Sequence, residues 1–286
     1  MQKVQSSISL KLFAEGIKYL QDPNWTGMYL YDQLKQHVRR RIEPFELLRK
    51  PLEKGLAYYL GLWVFDDFFS ETHAEDLHGE YKSWFLSDFY ELMKFHDFTE
   101  SIYMENLGNE LTRIDKLYSD DEDEYYDYLD SDEGNSALLK IFNDCIEEYS
   151  KNIELLRSSY AEEFSDRMLH DRQLCFYMSQ LLVEIGFNGD DDDTGPKQWV
   201  TREYWPERVK AILKSRDRGK CSNCMSDLTM ELEAPIHIDH MVPISKGGCN
   251  DIVNLQILCD NCNQSKSANF VDVPSSIPKY IKRRST

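Results

Sequence analysis

The 286-residue sequence predicts a mainly α protein, an all-helical N-terminal domain followed by a small C-terminal domain organised by a structural four-cysteine zinc site. Three observations carry this reading. Apolar residues recur at helical spacing through much of the first 187 positions. Five of the seven cysteines crowd into Cys221–Cys262, and four of them form two C-x-x-C pairs. Charge divides the chain in the same place: the net is −18 overall, −21 over positions 1–201 and +3 from Arg202 onward. The hydrophobic share of 41% is enough for a sizeable core and excludes wholesale disorder. No apolar run approaches the ~18 residues of a membrane-spanning helix. The opening MQKVQSSISLKLFAEG has no signal-peptide pattern, so a cytoplasmic location without membrane attachment is expected. An odd number of cysteines in that setting argues against a disulfide framework.

The helices follow in order. Ser9–Leu20 places Leu10, Leu12, Phe13, Ile17 and Leu20 near a period of 3.6. Tyr81–Phe98 repeats the pattern with Trp84, Phe85, Phe89, Leu92 and Phe95, and Leu138–Tyr149, Ile153–Phe164 and Leu174–Ile185 are further amphipathic segments. Two acidic runs interrupt them. Ser119–Glu133 is expected to be a solvated loop between helices. Gly189–Pro196 (GDDDDTGP) joins charge repulsion, two glycines and a proline, and is expected to separate the domains. The expected division is an acidic helical domain over 1–188, a linker over 189–197 and a small domain over 198–286.

In the small domain a helix restarts around Trp205 and runs to Ser215. Alternation over Ile236–Met241 predicts a strand, with His237 and Asp239 on one face and Ile236, Ile238 and His240 on the other. Lys246-Gly247-Gly248 supplies a turn, Leu255–Leu258 a returning strand, and Asp260–Ala268 a short helix with Asn263 and Lys266 three apart on one face. Cys221-Ser-Asn-Cys224 and Cys259-Asp-Asn-Cys262 each form a knuckle presenting two thiolates, and two knuckles close a tetrahedral Zn²⁺ shell. A closed shell leaves no position for water, so this zinc is architectural. Cys249, in a loop, is expected to be a free thiol.

From Trp205 to Asn269 the ordered features are the lead-in helix ending R-D-R-G-K-C, the two knuckles, Asp239-His240, P-I-S-K-G-G, N-L-Q-I-L-C and C-N-Q-S-K. This segment resembles the HNH endonuclease family, which has the ββα-metal fold. The first 200 residues carry no such resemblance. The likeness implies that His240 is the general base that takes a proton from water and that Asp239 binds a divalent ion. It implies that Asn254 holds the loop and fixes the histidine ring. Asn263 stands at the last family position, often His, which makes this an H-N-N version. Its hard amide oxygen suits Mg²⁺ or Mn²⁺ as the catalytic ion. Lys266 and His237 are further candidates at the substrate, and Arg216, Arg218 and Lys220 for DNA phosphates. A second basic cluster, Lys282–Arg284, lies close to the end of the sequence.

The function expected from the resemblance is metal-dependent endonuclease cleavage of DNA, by nicking or double-strand cutting, as the effector of a bacterial anti-phage defence or restriction system. Homing or mobile-element nucleases are the alternative within that class. An RNase of the same type, with RNA in place of DNA, and a non-catalytic zinc-organised DNA-binding or scaffold module are the alternatives outside it. The acidic domain is expected to regulate the module or to dock a partner protein such as an ATPase.

Overall fold

The computed structural model describes residues 13–14, 16–17, 50–52, 54–68, 79–95, 101–117, 122–184, 200–201, 203–229 and 236–266. Among the described residues helix dominates, with one two-stranded sheet in the C-terminal part. The described elements are α1 (Leu56–Phe68), α2 (Gly79–Phe95), α3 (Ile102–Leu117), α4 (Glu122–Asp130), α5 (Asp132–Glu148), α6 (Ser150–His170), α7 (Arg172–Glu184), α8 (Glu207–Arg216), β1 (His237–His240), β2 (Leu255–Leu258) and α9 (Asp260–Lys266). Of the helix expected over Ser9–Leu20, Phe13, Ala14, Gly16 and Ile17 are described and are helical. The expected linker at 189–197 lies outside the described residues, as do Lys282–Arg284. Among the described residues no helix is long and apolar enough to cross a membrane.

Of the described residues, one compact unit contains Leu62–Tyr160 and the other contains 50–61 and those from Ala161 onward. In the first, α2, α3, α4 and α5 pack on one another. Phe142 of α5 meets Phe89 at 4.9 Å and Phe85 at 5.3 Å between ring centroids. Lys82 of α2 is buried and donates to Asn135 Oδ1 at 2.6 Å, and burial lowers its pKa. The acidic stretch expected to be a loop is largely α4. Its Leu129 is fully buried, which anchors the charged turns around it. The following helix starts where Ser131 accepts a hydrogen bond from Gly134 N at 3.1 Å, an N-cap with Asp132 and Glu133 placed favourably in the first turn.

In the second unit β1 and β2 pair antiparallel, with His237 opposite Leu258, Ile238 opposite Ile257, Asp239 opposite Gln256 and His240 opposite Leu255. One core holds Val209 and Leu213 of α8, Cys221 and Leu228 of the first knuckle, Ile252, three residues of β2 and Cys262 of α9. The sequence predicts a domain that starts after the linker. The compact unit extends well upstream of it. Two of the reasons are polar.

The first is a buried carboxylate. Asp217, directly after α8, takes Arg216 Nε at 2.8 Å and Nη2 at 3.1 Å. Arg172 Nε of α7 lies 3.7 Å from the same group, with both guanidiniums almost wholly buried. Asp217 Oδ2 also accepts Ser222 Oγ at 3.1 Å and Ile257 N at 3.4 Å. The arginines spend their other donors on carbonyls: Arg172 on Ser222 O at 2.8 Å, Arg216 on Leu255 O at 2.7 Å and Ile252 O at 3.3 Å.

The second is Asp251. Its Oδ1 caps the turn at Ile252–Asn254 through Val253 N at 3.0 Å, and its Oδ2 accepts Leu56 N of α1 at 3.0 Å. Burial pushes the Asp251 carboxyl up, and the two amides pull it back. A Cβ on Gly55 would lie 2.4 Å from Asp251 Oδ2, so glycine is what lets the carboxylate reach the helix start. Ser179 Oγ of α7 donates to Val253 O at 3.3 Å, and Arg208 Nη2 to Pro51 O at 2.6 Å.

Asp217→Ala leaves two buried guanidiniums without their anion and is expected to destabilise the second unit by about 3–5 kcal/mol. Lys94→Ala removes an exposed pair with Glu91 and is expected to cost under about 1 kcal/mol. Urea titrations that follow both helicity and zinc release test this. Equal midpoints for the two variants would contradict the assignment.

Candidate active site

The first knuckle follows α8 through a tight turn. Leu228 N donates to Gly219 O at 2.8 Å, Cys221 N to Ser226 O at 2.8 Å and Met225 N to Cys221 O at 2.9 Å. Met225 takes a positive φ of 63° to close the loop. The second knuckle joins the end of β2 to the first turn of α9, where Asn263 N donates to Cys259 O at 2.9 Å. The Sγ atoms of Cys221, Cys224, Cys259 and Cys262 all lie within 4.8 Å of one another, and Cys224 and Cys259 are 3.8 Å apart. A tetrahedral zinc with Zn–S of about 2.3 Å spaces its sulfurs about 3.8 Å apart, so the donor set fits the ion. Asn223 Nδ2 reaches Cys262 Sγ at 3.4 Å, and Cys262 N reaches Cys259 Sγ at 3.5 Å, donors that suit thiolates. The other three cysteines are buried outside the cluster. Burial pushes the Cys145 and Cys175 thiols up to about 12 and raises Cys249 as well.

β1 ends at Asp239-His240, and three supports converge there. Lys266 Nζ, from the last turn of α9, donates to His240 O at 2.7 Å and pairs with Asp239 Oδ2 at 2.8 Å. Gln256 Nε2, opposite on β2, donates to the same Asp239 oxygen at 3.1 Å. His240 is 7% exposed, and its ring packs on Trp205 with centroids 5.5 Å apart. His240 Nε2 is 2.8 Å from Asn250 Oδ1, and Asn250 Nδ2 donates to Thr201 O at 2.8 Å.

Asn254 is fully buried and holds the loop leaving β1. Its Oδ1 accepts Val242 N at 2.8 Å, while Nδ2 donates to Val242 O and Cys249 O, each at 2.9 Å. Its backbone O also accepts Met241 N at 2.7 Å. A Cβ on Gly248 would lie 2.0 Å from Val242 O, so the second glycine of K-G-G permits this closure.

The expected residues therefore separate. Asp239, His240 and Lys266 come together, with Asn254 bracing their loop. The ring contact expected of Asn254 is made by Asn250 instead, because Asn254 uses its amide on the loop backbone. Lys266, expected at a phosphate, is buried, with its ammonium on Asp239 and His240 O. Arg216, expected on DNA, is likewise buried on Asp217. Arg218 and Lys220 are exposed. His237 Nε2 lies 3.2 Å from Asp260 Oδ1, off line for a hydrogen bond, and so links β1 to α9 by charge alone when protonated. Asn263 is half-buried on α9, one turn before Lys266.

Sequence reasoning misses Asn250, Gln256, Asp217 and Arg172. Gln256 was open to inference, since strand pairing sets it beside Asp239. Asn250 and Arg172 act across 10 and 50 positions, and Asp217 reaches Ile257 across 40, with no periodic signal.

Cys221→Ser and Cys259→Ser each remove a thiolate from the shell. Each is expected to lower zinc content and melt the second unit, because structural zinc contributes folding energy directly. Zinc stoichiometry together with helicity measures the effect. A variant that loses zinc and keeps its melting behaviour would show that the knuckles are not structural.

No curated protein and no solved structure matches the chain. Residues 221–269 match the HNH endonuclease family model. That stretch carries both knuckles, the Asp239-His240 strand end, the Asn254 clamp and α9, and it is this C-terminal part of the chain that is similar to HNH endonucleases.

Proposed function

We propose that the protein is a metal-dependent endonuclease that hydrolyses DNA phosphodiester bonds. The observation that carries this reading is the strand-end pair Asp239-His240, preassembled by Lys266, Gln256, Asn250 and Trp205. Asn250 Nδ2 faces a carbonyl, which can only accept, so its Oδ1 faces the ring. The ring then holds its proton on Nε2, and the basic lone pair is on Nδ1. His240 Nδ1 takes a proton from water, the water oxygen bonds to phosphorus, and the P–O bond on the far side breaks with its electrons on the leaving oxygen.

Asp239 and Asn263 offer hard oxygen donors, and Mg²⁺ or Mn²⁺ held there would stabilise the charge developing on the phosphate oxygens. Asp239 Oδ2 already accepts from Lys266 and Gln256, and a carboxylate has about four lone-pair sites, so a cation fits beside them. Zinc stays architectural. The exposed Arg218 and Lys220 meet the DNA backbone.

The acidic helices serve regulation or a partner such as an ATPase, in a cytoplasmic enzyme of anti-phage defence or restriction. That reading is supported by the −21 charge of positions 1–201, which makes a poor nucleic-acid surface.

His240→Ala is expected to lower plasmid cleavage at least ~10²-fold with zinc content and helicity unchanged. Asp239→Ala is expected to inactivate as well, with partial recovery in excess Mg²⁺. Parallel digestion of plasmid DNA and single-stranded RNA reads the substrate. Near-normal cutting by the His240 variant sinks the base assignment, and RNA-only cleavage moves the enzyme to the RNases.

Mild EDTA is expected to stop cleavage before it extracts zinc, with Mg²⁺ restoring it. Cleavage that persists while zinc alone remains bound would remove the second metal.

A further inference from the structure

We propose that Asn250 is the positioning residue of His240, selecting the ring tautomer that leaves Nδ1 as the basic nitrogen. This rests on the reading of His240 as the base, and one measurement below is independent of it.

The argument starts from donor and acceptor chemistry. Asn250 is fully buried, so an unmade hydrogen bond on either end of its amide would be costly. Its Nδ2 points at Thr201 O at 2.8 Å, which settles which end of the amide faces which way. Its Oδ1 then lies 2.8 Å from His240 Nε2. An amide oxygen cannot donate, so Nε2 must carry hydrogen. In the neutral ring the lone pair is therefore on Nδ1. Trp205 lies against the ring with planes 60° apart and opposes rotation out of this pose.

The surroundings explain why an amide stands here. Asp251 is the next residue, and its carboxylate is turned away onto Leu56 N and Val253 N. Lys266 reaches the His240 carbonyl, and Asp239 is held by Lys266 and Gln256. The ring is thus oriented by a neutral group, while the charged groups around it are engaged elsewhere. Asn250 has one end of its amide on His240 and the other on Thr201, and acts through the histidine. Thr201 and Trp205 lie before the matched segment 221–269, so the chain that aims the base starts outside it.

The test uses the full chain, zinc-loaded, with Asn250→Ala and Asn250→Asp. Nitrogen-15 spectra of the His240 ring, recorded without added divalent metal, report the tautomer without any appeal to activity. Wild type is expected to show a pyrrole-type Nε2 and a pyridine-type Nδ1. N250D keeps an acceptor and is expected to keep that tautomer. N250A is expected to lose it and to show a mixture.

In plasmid cleavage with Mg²⁺, N250A is expected to lose about 10–100-fold in kcat, the range for partners that orient a functional histidine, with KM within about twofold. If N250A fails to retain zinc, the wild-type and N250D spectra still decide. A wild-type ring protonated on Nδ1, or an N250D ring that changes tautomer, overturns the proposal. So does a zinc-loaded N250A with normal kcat and an unchanged ring. An active His240→Ala instead overturns the reading of the base and leaves the tautomer assignment standing.

Discussion

The second unit is organised around a charge that cannot reach water. Asp217 is buried against two guanidiniums, and each of its further contacts belongs to a different part of the unit. Ser222 ties it to the first knuckle and Ile257 to β2. Arg216 extends the contact to the turn at Ile252–Asn254, and Arg172 brings in α7. Burying a carboxylate is costly unless its partners are present and correctly placed. Knuckle, sheet and helix are therefore held to one arrangement by a single group.

The active-site loop inherits that arrangement. Arg216 holds the carbonyls of Ile252 and Leu255, the residues flanking Val253 and Asn254. Asn254 then ties Val242 and Cys249 together, and Asp251 fixes the same turn from the other side by binding Leu56. Two asparagines four positions apart divide the work. Asn254 shapes the backbone, and Asn250, on the loop so shaped, meets the ring of His240. The His240 ring is aimed from a loop whose backbone Asn254 and Arg216 hold in place.

Much of this was legible in the sequence where chemistry depends on local spacing. The two C-x-x-C pairs are seen to converge, and β1, β2 and α9 lie where alternation and the short amphipathic run place them. Local reading fails where the deciding contact is remote. Arg216 reads as a DNA contact because basic residues neighbour it, and it is buried because the adjacent Asp217 neutralises it and the carbonyls of Ile252 and Leu255, 36 and 39 positions away, take its other donors. The acidic run at 119–133 reads as a loop because its charge hides one buried leucine, Leu129. α1 shows no period because apolar residues line almost its whole circumference, as in LAYYLGLWVF. The defining pair of the site, Asp239 and His240, was legible, and most of what supports it was not.

That imbalance has a physical cause. Residues that touch substrate or metal must be of particular chemical types at particular spacings, so a motif records them. The residues that aim them need only offer a donor or acceptor at the right point in space, and many chain segments can supply one. Here those suppliers include Thr201, Trp205, Arg172, Ser179 and Leu56. These five lie before Cys221, where the family match begins, beside Asn250, Gln256 and Lys266 within it. The matched segment thus contains the chemistry but not the whole of its support. Cut out alone, it would leave Ser222 short of Asp217, Asp251 short of Leu56 and Asn250 short of Thr201. Three buried polar groups would be left incomplete in a segment of roughly 50 residues, a size at which a single core is already marginal even with zinc. The compact unit is consequently larger than the matched segment, and helices from the acidic part of the chain belong to it.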